Sequence, residues 1–335
     1  MAMKKILLGH GSGGRLMHDF IKEILLKRLH NPILGKLADS AVIGGQEKFA
    51  FTTDSFVVSP LFFPGGDIGK LAIAGTVNDL AMLGAMPEYL SLALIMEEGL
   101  EQGVLERIID SLSFHAKKAG IQIVTGDTKV VEKGAADKLF INTSGLGRLI
   151  VKEELSIANI SCGDRIIITG NIAEHGLAVL AKRKELGLGL NIKSDCQALN
   201  GLILPLLKKY RGIKFMRDPT RGGLATTLNE ITEGSQLGII INEKDIPLSG
   251  KVRAAAELLG IDPLYVANEG KAVLVVEPEA ADRVIVFLRK HPLGHNAEII
   301  GTVVKQPRGR LILRTIFGTE RVLDMLTSEP LPRIC

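Results

Sequence analysis

Residues 67–83 read DIGKLAIAGTVNDLAML. Apolar or small side chains fall on every side of a helical projection, and Asp79 is the one charge in its second half. A helix that is apolar all round has no face to offer water and is buried. The elements around it alternate in kind. Residues 48–53, KFAFTT, alternate polar and apolar side chains as a half-buried strand does and end in Asp54. Residues 89–96 read as a strand, 100–119 as an amphipathic helix, 121–124 as a short strand running into GDTK, and 139–148 as another strand. Upstream, residues 15–29 carry apolar side chains at helical spacing behind a glycine cluster. The interleaving predicts an α/β (α+β) class in which each domain is a mixed sheet with helices.

A chain of 335 residues exceeds the size at which single cores stop growing, about 250 to 300 residues, so two domains are expected. The polar, turn-rich passage VKEELSIANISCGD at 151–164 marks the boundary, giving domains at 1–150 and 151–324. The second half restarts with a strand, RIIITG at 165–170, followed by helical patterns at 174–189 and 196–210. DPTRGG at 218–223 opens a helix, 238–242 and 272–277 are strands, and 280–289 is helical. Beyond Asp324 the pattern dissolves. TSEPLPRIC has two prolines, which preclude a regular helix or central strand, so 325–335 is expected to be an extended, mobile tail ending in Cys335.

The 41 basic and 37 acidic residues are interleaved, and aromatics are scarce. A net charge of +4 in that distribution points to no nucleic acid. No apolar run reaches the 18 residues a membrane span needs, and the N-terminal apolar run is too short for a signal peptide, so a cytoplasmic protein is expected. Cys162, Cys196 and Cys335 form no CxxC pair and are expected as free thiols.

Several motifs carry chemistry. GHGSGG at 9–14 can cradle a phosphate, because glycines let successive backbone N–H groups turn inward, or it can be a flexible terminal loop. PGGDIGK at 64–70 fails the P-loop spacing, with Pro64 where glycine and Leu71 where Ser or Thr is required. Asp54, Asp79 and Asp127 each adjoin small polar residues after an apolar run, the chemistry of magnesium ligands or of turn and cap aspartates. Asp79 stands apart, since a charge within an apolar helix is costly unless paired or metal-bound. Lys129 can meet phosphates, act as a base or be a solvated loop lysine. Glu269, in a glycine turn, can face a cleft or the surface. Asp218 and Arg221 in DPTRGG can grip an anion or cap a helix. Cys335 ends the chain as a thiol with no packing reason to be there, unless chance placed it.

Taken together, GHGSGG, TTDS, GTVNDLAMLGAMP at 75–87, TGDTKVV at 125–131, DPTRGG, NEGK and the terminal PRIC resemble the HypE family of hydrogenase maturation proteins from end to end. That family lies within the superfamily of aminoimidazole ribonucleotide synthetase and selenophosphate synthetase. The resemblance implies a two-domain fold whose first domain binds ATP with Mg²⁺ and pairs in a homodimer. It implies that a HypF-type carbamoyltransferase loads a carbamoyl group onto Cys335. ATP then converts the carboxamide to a thiocyanate, whose cyanide passes to iron on a HypC–HypD scaffold for a nickel-iron site. Carried over residue by residue, Asp54, Asp79 and Asp127 would hold magnesium. Gly11, Ser12, Gly13, Gly14, Asn78 and Asp218 would join them around the nucleotide, and Lys129, Glu269 and Cys335 would carry the catalysis. Another enzyme of the superfamily and a non-catalytic scaffold are the rivals. A selenophosphate synthetase would want a reactive cysteine near the glycine loop, where this chain has Ser12.

Overall fold

In the computed structural model the buried helix at the centre of the first half begins where Asp67 caps it. One carboxylate oxygen accepts from the backbone N–H groups of Gly69 and Lys70, at 2.8 and 3.1 Å, satisfying donors that have no partner within a helix. The structure describes residues 14–20, 22–23, 35, 37, 41–44, 47–183, 191–327, 331 and 333–335.

The N-terminal sheet has five strands in the order β1 (Ala41–Gly44), β2 (Lys48–Phe56), β7 (Leu139–Leu149), β5 (Ala85–Glu97), β6 (Gln122–Val131). Only β5 and β6 run parallel, joined through a crossover helix, α3 (Gln102–Ala119). The capped helix, α2 (Ile68–Met82), lies across β2, β7 and β5. Residues 139, 141, 143, 145 and 147 of β7 are buried beneath it and their neighbours are not, the period of a half-covered strand. The far side of α2 meets the second half of the chain, which is why all but Asp79 of its residues are buried. β3 (Phe62–Phe63) and β4 (Gly66–Asp67) form a small ribbon before it. A six-residue helix, α1 (Arg15–Phe20), is the described part of the helix predicted over 15–29.

The C-terminal sheet has seven strands in the order β14 (Glu320–Leu323), β13 (Leu311–Arg314), β10 (Gly238–Asn242), β12 (Glu298–Val304), β8 (Arg165–Ile168), β11 (Val273–Val276), β9 (Ile213–Arg217). Among the described residues five helices flank it: α4 (Glu174–Arg183), α5 (Asn200–Lys209), α6 (Gly223–Ser235), α7 (Gly250–Leu259) and α8 (Pro278–Arg289). Both faces are covered. Val273 and Val275 of β11 join the core with α4, α6 and α7, while Leu274 and Val276 join the core with α5 and α8. That explains the unbroken apolar runs in these strands.

Two expectations change. β6 runs on through GDTK instead of ending at 124, because Asp127, Thr128 and Lys129 keep pairing with Ala93, Leu94 and Ile95 of β5. The helical pattern at 196–210 becomes helix only at Asn200. Upstream of it, backbone donors are taken by tertiary acceptors: Gln197 N–H bonds the Glu269 carbonyl at 3.2 Å and Leu199 N–H bonds Asn78 Oδ1 at 2.7 Å. The helix predicted over 174–189 is described to Arg183, and 184–189 lie outside the described residues.

Asn78, fully buried, also donates to the carbonyls of Gln197 and Glu269 at 3.1 and 3.4 Å. Stranding a buried polar group costs roughly 1–3 kcal/mol. Asn78→Ala is therefore expected to lower stability by about 2–4 kcal/mol in urea unfolding, against about 1 kcal/mol for Asn200→Ala, which removes a single bond to Ala119 O.

Candidate active site

The DPTRGG turn delivers Arg221 into a ring of acids. Gly222 and Gly223 hold consecutive left-handed conformations, φ 66° and 64°, and a Cβ on Gly223 would sit 2.7 Å from the carbonyl oxygens of Leu264 and Val266. Only glycine lets the chain turn here into α6. The Arg221 guanidinium lies 3.6 Å from Asp54 Oδ1. Desolvation acts to lower its pKa, but the negative groups at Cys335, Asp54, Asp79 and Asp218, in that order, outweigh it and raise the pKa, so it stays a cation.

Asp54 and Asp79 come from different elements, β2 and α2, and share a hydrogen bond. Thr76 Oγ1 donates to Asp54 at 3.0 Å and Thr52 Oγ1 to Asp79 at 2.7 Å. Burial holds the Asp54 carboxyl above its usual pKa against the opposing pull of Arg221 and of the hydrogen bonds with Thr76 and Asp79. Glu269 is only 2% exposed. Burial first, and then Asp218, Asp195 and Asp54, push its pKa well above the ordinary carboxylate value, with Arg221 opposing. Its backbone is gripped on both sides: the N–H bonds Asp195 Oδ1 at 3.1 Å, and the carbonyl accepts from Gln197 and Asn78. Lys271 Nζ neutralises the other Asp195 oxygen at 3.0 Å. A Cβ on Gly270 would fall 1.9 Å from the Asp195 carbonyl, so the close approach needs glycine.

The chain end is seated in the same place. Val57 N–H donates to the Cys335 carbonyl at 3.1 Å and Ser59 N–H to the Arg333 carbonyl at 3.3 Å, so the last residues run antiparallel to the continuation of β2. Arg183 bonds the carbonyls of Ser59 and Arg333, and Arg333 pairs with Asp137 at 2.9 Å. Ile334 is buried and Cys335 half-buried. Residues 328–330 and 332 lie outside the described residues.

Asp54, Asp79, Asp218, Glu269 and Cys335 thus surround Arg221. Asn78 lies beneath them with its polar atoms bonded inside the protein. Asp127 and Lys129 are elsewhere in the chain. They face each other at 3.2 Å on the exposed strand β6, three strand spacings or about 14 Å from Asp54. Registers running Asp54–Thr143–Leu92–Gly126 put Asp127 on the opposite face of the sheet. The Lys129 hydrogen bond, followed by the Thr128 N–H, holds Asp127 below the usual carboxylate range. Gly14 is buried at the start of α1; Gly11, Ser12 and Gly13 lie outside the described residues. Among the described residues no three His, Cys, Asp or Glu side chains form a metal cluster, and no helix is long and apolar enough to cross a membrane. Sequence reasoning passed over Asp195, Ser194 and His175. Only His175 carried a signal, a polar residue in the apolar run GLAVL's first turn.

Residues 37–149 match the family described as AIR synthase related protein, N-terminal domain, and residues 162–314 match its C-terminal domain. Fold and paired domains therefore define an AIR synthase-related protein. The carbamoyl dehydratase HypE of Cupriavidus necator is 46% identical over 333 residues, covering 99% of this chain and 95% of that relative. A solved HypE in complex with ATP superposes with a TM-score of 0.84 at 45% identity, covering 99% of this chain and all of that one. HypE in a HypE–HypF complex gives 0.88 at 46% identity, covering 92% and 99%. The chain belongs to the HypE family of carbamoyl dehydratases.

A Glu269 that holds its proton more tightly when folded than when unfolded adds stability that is fully present below its unfolded pKa and lost as pH rises through its folded pKa. Glu269→Gln removes that loss. Its melting temperature is expected to exceed that of the unsubstituted protein by a few degrees at pH 8, roughly 2–4 °C per kcal/mol, and the difference should vanish near pH 4 in a calorimetric series.

Proposed function

We propose that this enzyme dehydrates a carbamoyl group carried on the Cys335 thiol at the expense of ATP, and so supplies cyanide for the iron of nickel-iron hydrogenase. The supporting observation is the seating of the chain end beside Arg221, the cation that also faces Glu269. The carboxamide oxygen attacks the γ-phosphorus of ATP and ADP leaves. One N–H proton departs as C=N forms. Phosphate then leaves from carbon with loss of the second proton, giving S–C≡N. An amide N–H is a very weak acid, so proton removal must accompany phosphorylation. Glu269, whose pKa burial raises above the ordinary carboxylate value, is the proton acceptor in this reading, and Arg221 the cation that faces developing phosphate charge. A solved HypE binds ATP and another is bound to HypF; here a HypF-type transferase would load Cys335, and a HypC–HypD complex in the cytoplasm would accept the cyanide.

Magnesium fits Asp54 and Asp79. Two carboxylates close enough to share a hydrogen bond, one with its pKa raised by burial, would be relieved by a hard cation that completes its shell with water and phosphate oxygens. Bound there, Mg²⁺ would neutralise phosphate charge.

Asp127 and Lys129 reach such a site only from a second copy. The sheet leaves β6 uncovered, and its face that carries Asp127 and Lys129 also exposes Phe51, Tyr89 and Ile95, an apolar surface suited to a homodimer. In this arrangement Lys129 and Asp127 of one protomer serve the nucleotide of the other.

Cys335→Ala is expected to fold and bind ATP yet to carry neither carbamoyl nor cyano group by intact mass after incubation with ATP, carbamoyl phosphate and the transferase. An adduct on Cys162 or Cys196 would overturn the reading. Asp79→Asn and Asp127→Asn are each expected to be inactive in ADP release. Mixed and re-equilibrated, they should recover about a quarter of the activity per chain through heterodimers with one intact site, half the sites in half the dimers. No recovery would place both residues in one protomer's site.

A further inference from the structure

Among the described residues His175 is the one fully buried histidine, and the reaction above does not use it. It projects from the first turn of α4, with its ring against the edge of Phe63 at 5.3 Å between centroids. Nε2 lies 2.9 Å from the carbonyl of Ile334, and Nδ1 lies 2.8 Å from Ser194 Oγ.

The tautomer follows from these contacts. A carbonyl oxygen only accepts, so Nε2 must carry the hydrogen. Ser194 Oγ accepts from the Cys196 N–H at 3.0 Å, which leaves its own hydrogen to donate to Nδ1. Burial lowers the His175 pKa, and the nearby Asp195 opposes this without reversing it, consistent with a neutral ring. A directed relay results: Cys196 N–H to Ser194, Ser194 O–H to His175, and His175 N–H to the last peptide carbonyl before Cys335.

The other anchors of the tail differ in kind. Val57 and Ser59 offer main-chain donors, and Arg183 and Arg333 are partly exposed cations. Arg333 itself holds φ 57°, a left-handed conformation that a side chain disfavours. The seated tail therefore carries a local conformational cost that its anchors must offset.

We propose that His175, with its tautomer set by Ser194, is a positioning residue that latches the chain end in its inward seat and so governs exchange of Cys335 between site and solvent. The proposal deepens the reading that Cys335 carries the reacting group, but its test needs no catalysis. Alkylation of Cys335 by iodoacetamide is followed by peptide mass, with exposed Cys162 as the internal reference. His175→Ala is expected to raise the Cys335/Cys162 rate ratio roughly tenfold, the factor for loss of one buried hydrogen bond, with ATP affinity unchanged.

A Gln amide nitrogen can occupy the place of Nε2, and an Asn amide only that of Nδ1. His175→Gln should therefore stay near the original ratio and His175→Asn should match the Ala variant, a pairing that loss of packing alone does not give. Ser194→Ala should raise the ratio by a smaller factor. Equal ratios for Gln and Asn, or an unchanged ratio for Ala, would overturn the latch. If His175→Ala does not fold, the Gln and Asn pair decides. A latched Cys335 that never carries a carbamoyl group would leave this inference standing and remove the functional reading.

Discussion

Asn78 fixes the geometry on which the site depends. One amide from the buried helix α2 bonds the backbone at Gln197, Leu199 and Glu269. It thereby joins the N-terminal half, which supplies Asp54 and Asp79, to the C-terminal half, which supplies Glu269. Residues 194–199 have their backbone hydrogen bonds diverted to this purpose and form no regular element. Their donors go to tertiary and local acceptors instead: Ser194 N–H to the Pro64 carbonyl, Cys196 N–H to Ser194 Oγ, Gln197 N–H to the Glu269 carbonyl and Leu199 N–H to Asn78. Asp195 extends the same arrangement to the Glu269 N–H, and Ser194 extends it to His175 and the tail. The carboxylate, the latch and the helix are thus held by a single short segment.

The site concentrates like charge deliberately. Asp54, Asp79, Asp218 and Glu269 face one guanidinium; burial raises the pKa of Asp54, and burial followed by repulsion from Asp218, Asp195 and Asp54 raises that of Glu269. Such an excess of acid is expensive in a folded protein and useful where a cation and a proton must both be accepted. The Asp195–Lys271 pair, by contrast, is neutral and buried, and serves to hold the backbone.

Much of this was legible in the chain. Apolar periodicity gave α2, β2 and β5, and the charge of Asp79 inside an apolar helix singled it out as a candidate site residue. The DPTRGG and NEGK turns were recognisable because glycines there serve close approaches, at Gly223 against 264–266 and at Gly270 against Asp195. Other features were illegible for physical reasons. GDTK looked like a loop because its residues are polar, yet β6 is an uncovered strand with no core to demand apolar side chains. That Asp127 and Lys129 lie away from Asp54 depends on strand order and register, which single-chain patterns do not encode. Residues 196–199 scored as helix because propensity ignores tertiary acceptors for their backbone donors. β9, α7 and the strands after 298 were missed among short, turn-bounded runs.

The seating of the last residues beside 57–59 is made largely through main-chain atoms. Main-chain pairing is indifferent to most side chains but strict about count: a slip of one position turns every side chain to the other face. Ile334 would then leave its buried pocket, and Cys335 would lose its place beside Arg221. The described part of the segment is in this sense a ruler: the count of residues between paired main-chain groups, more than their side chains, sets where Cys335 falls against residues 57–59.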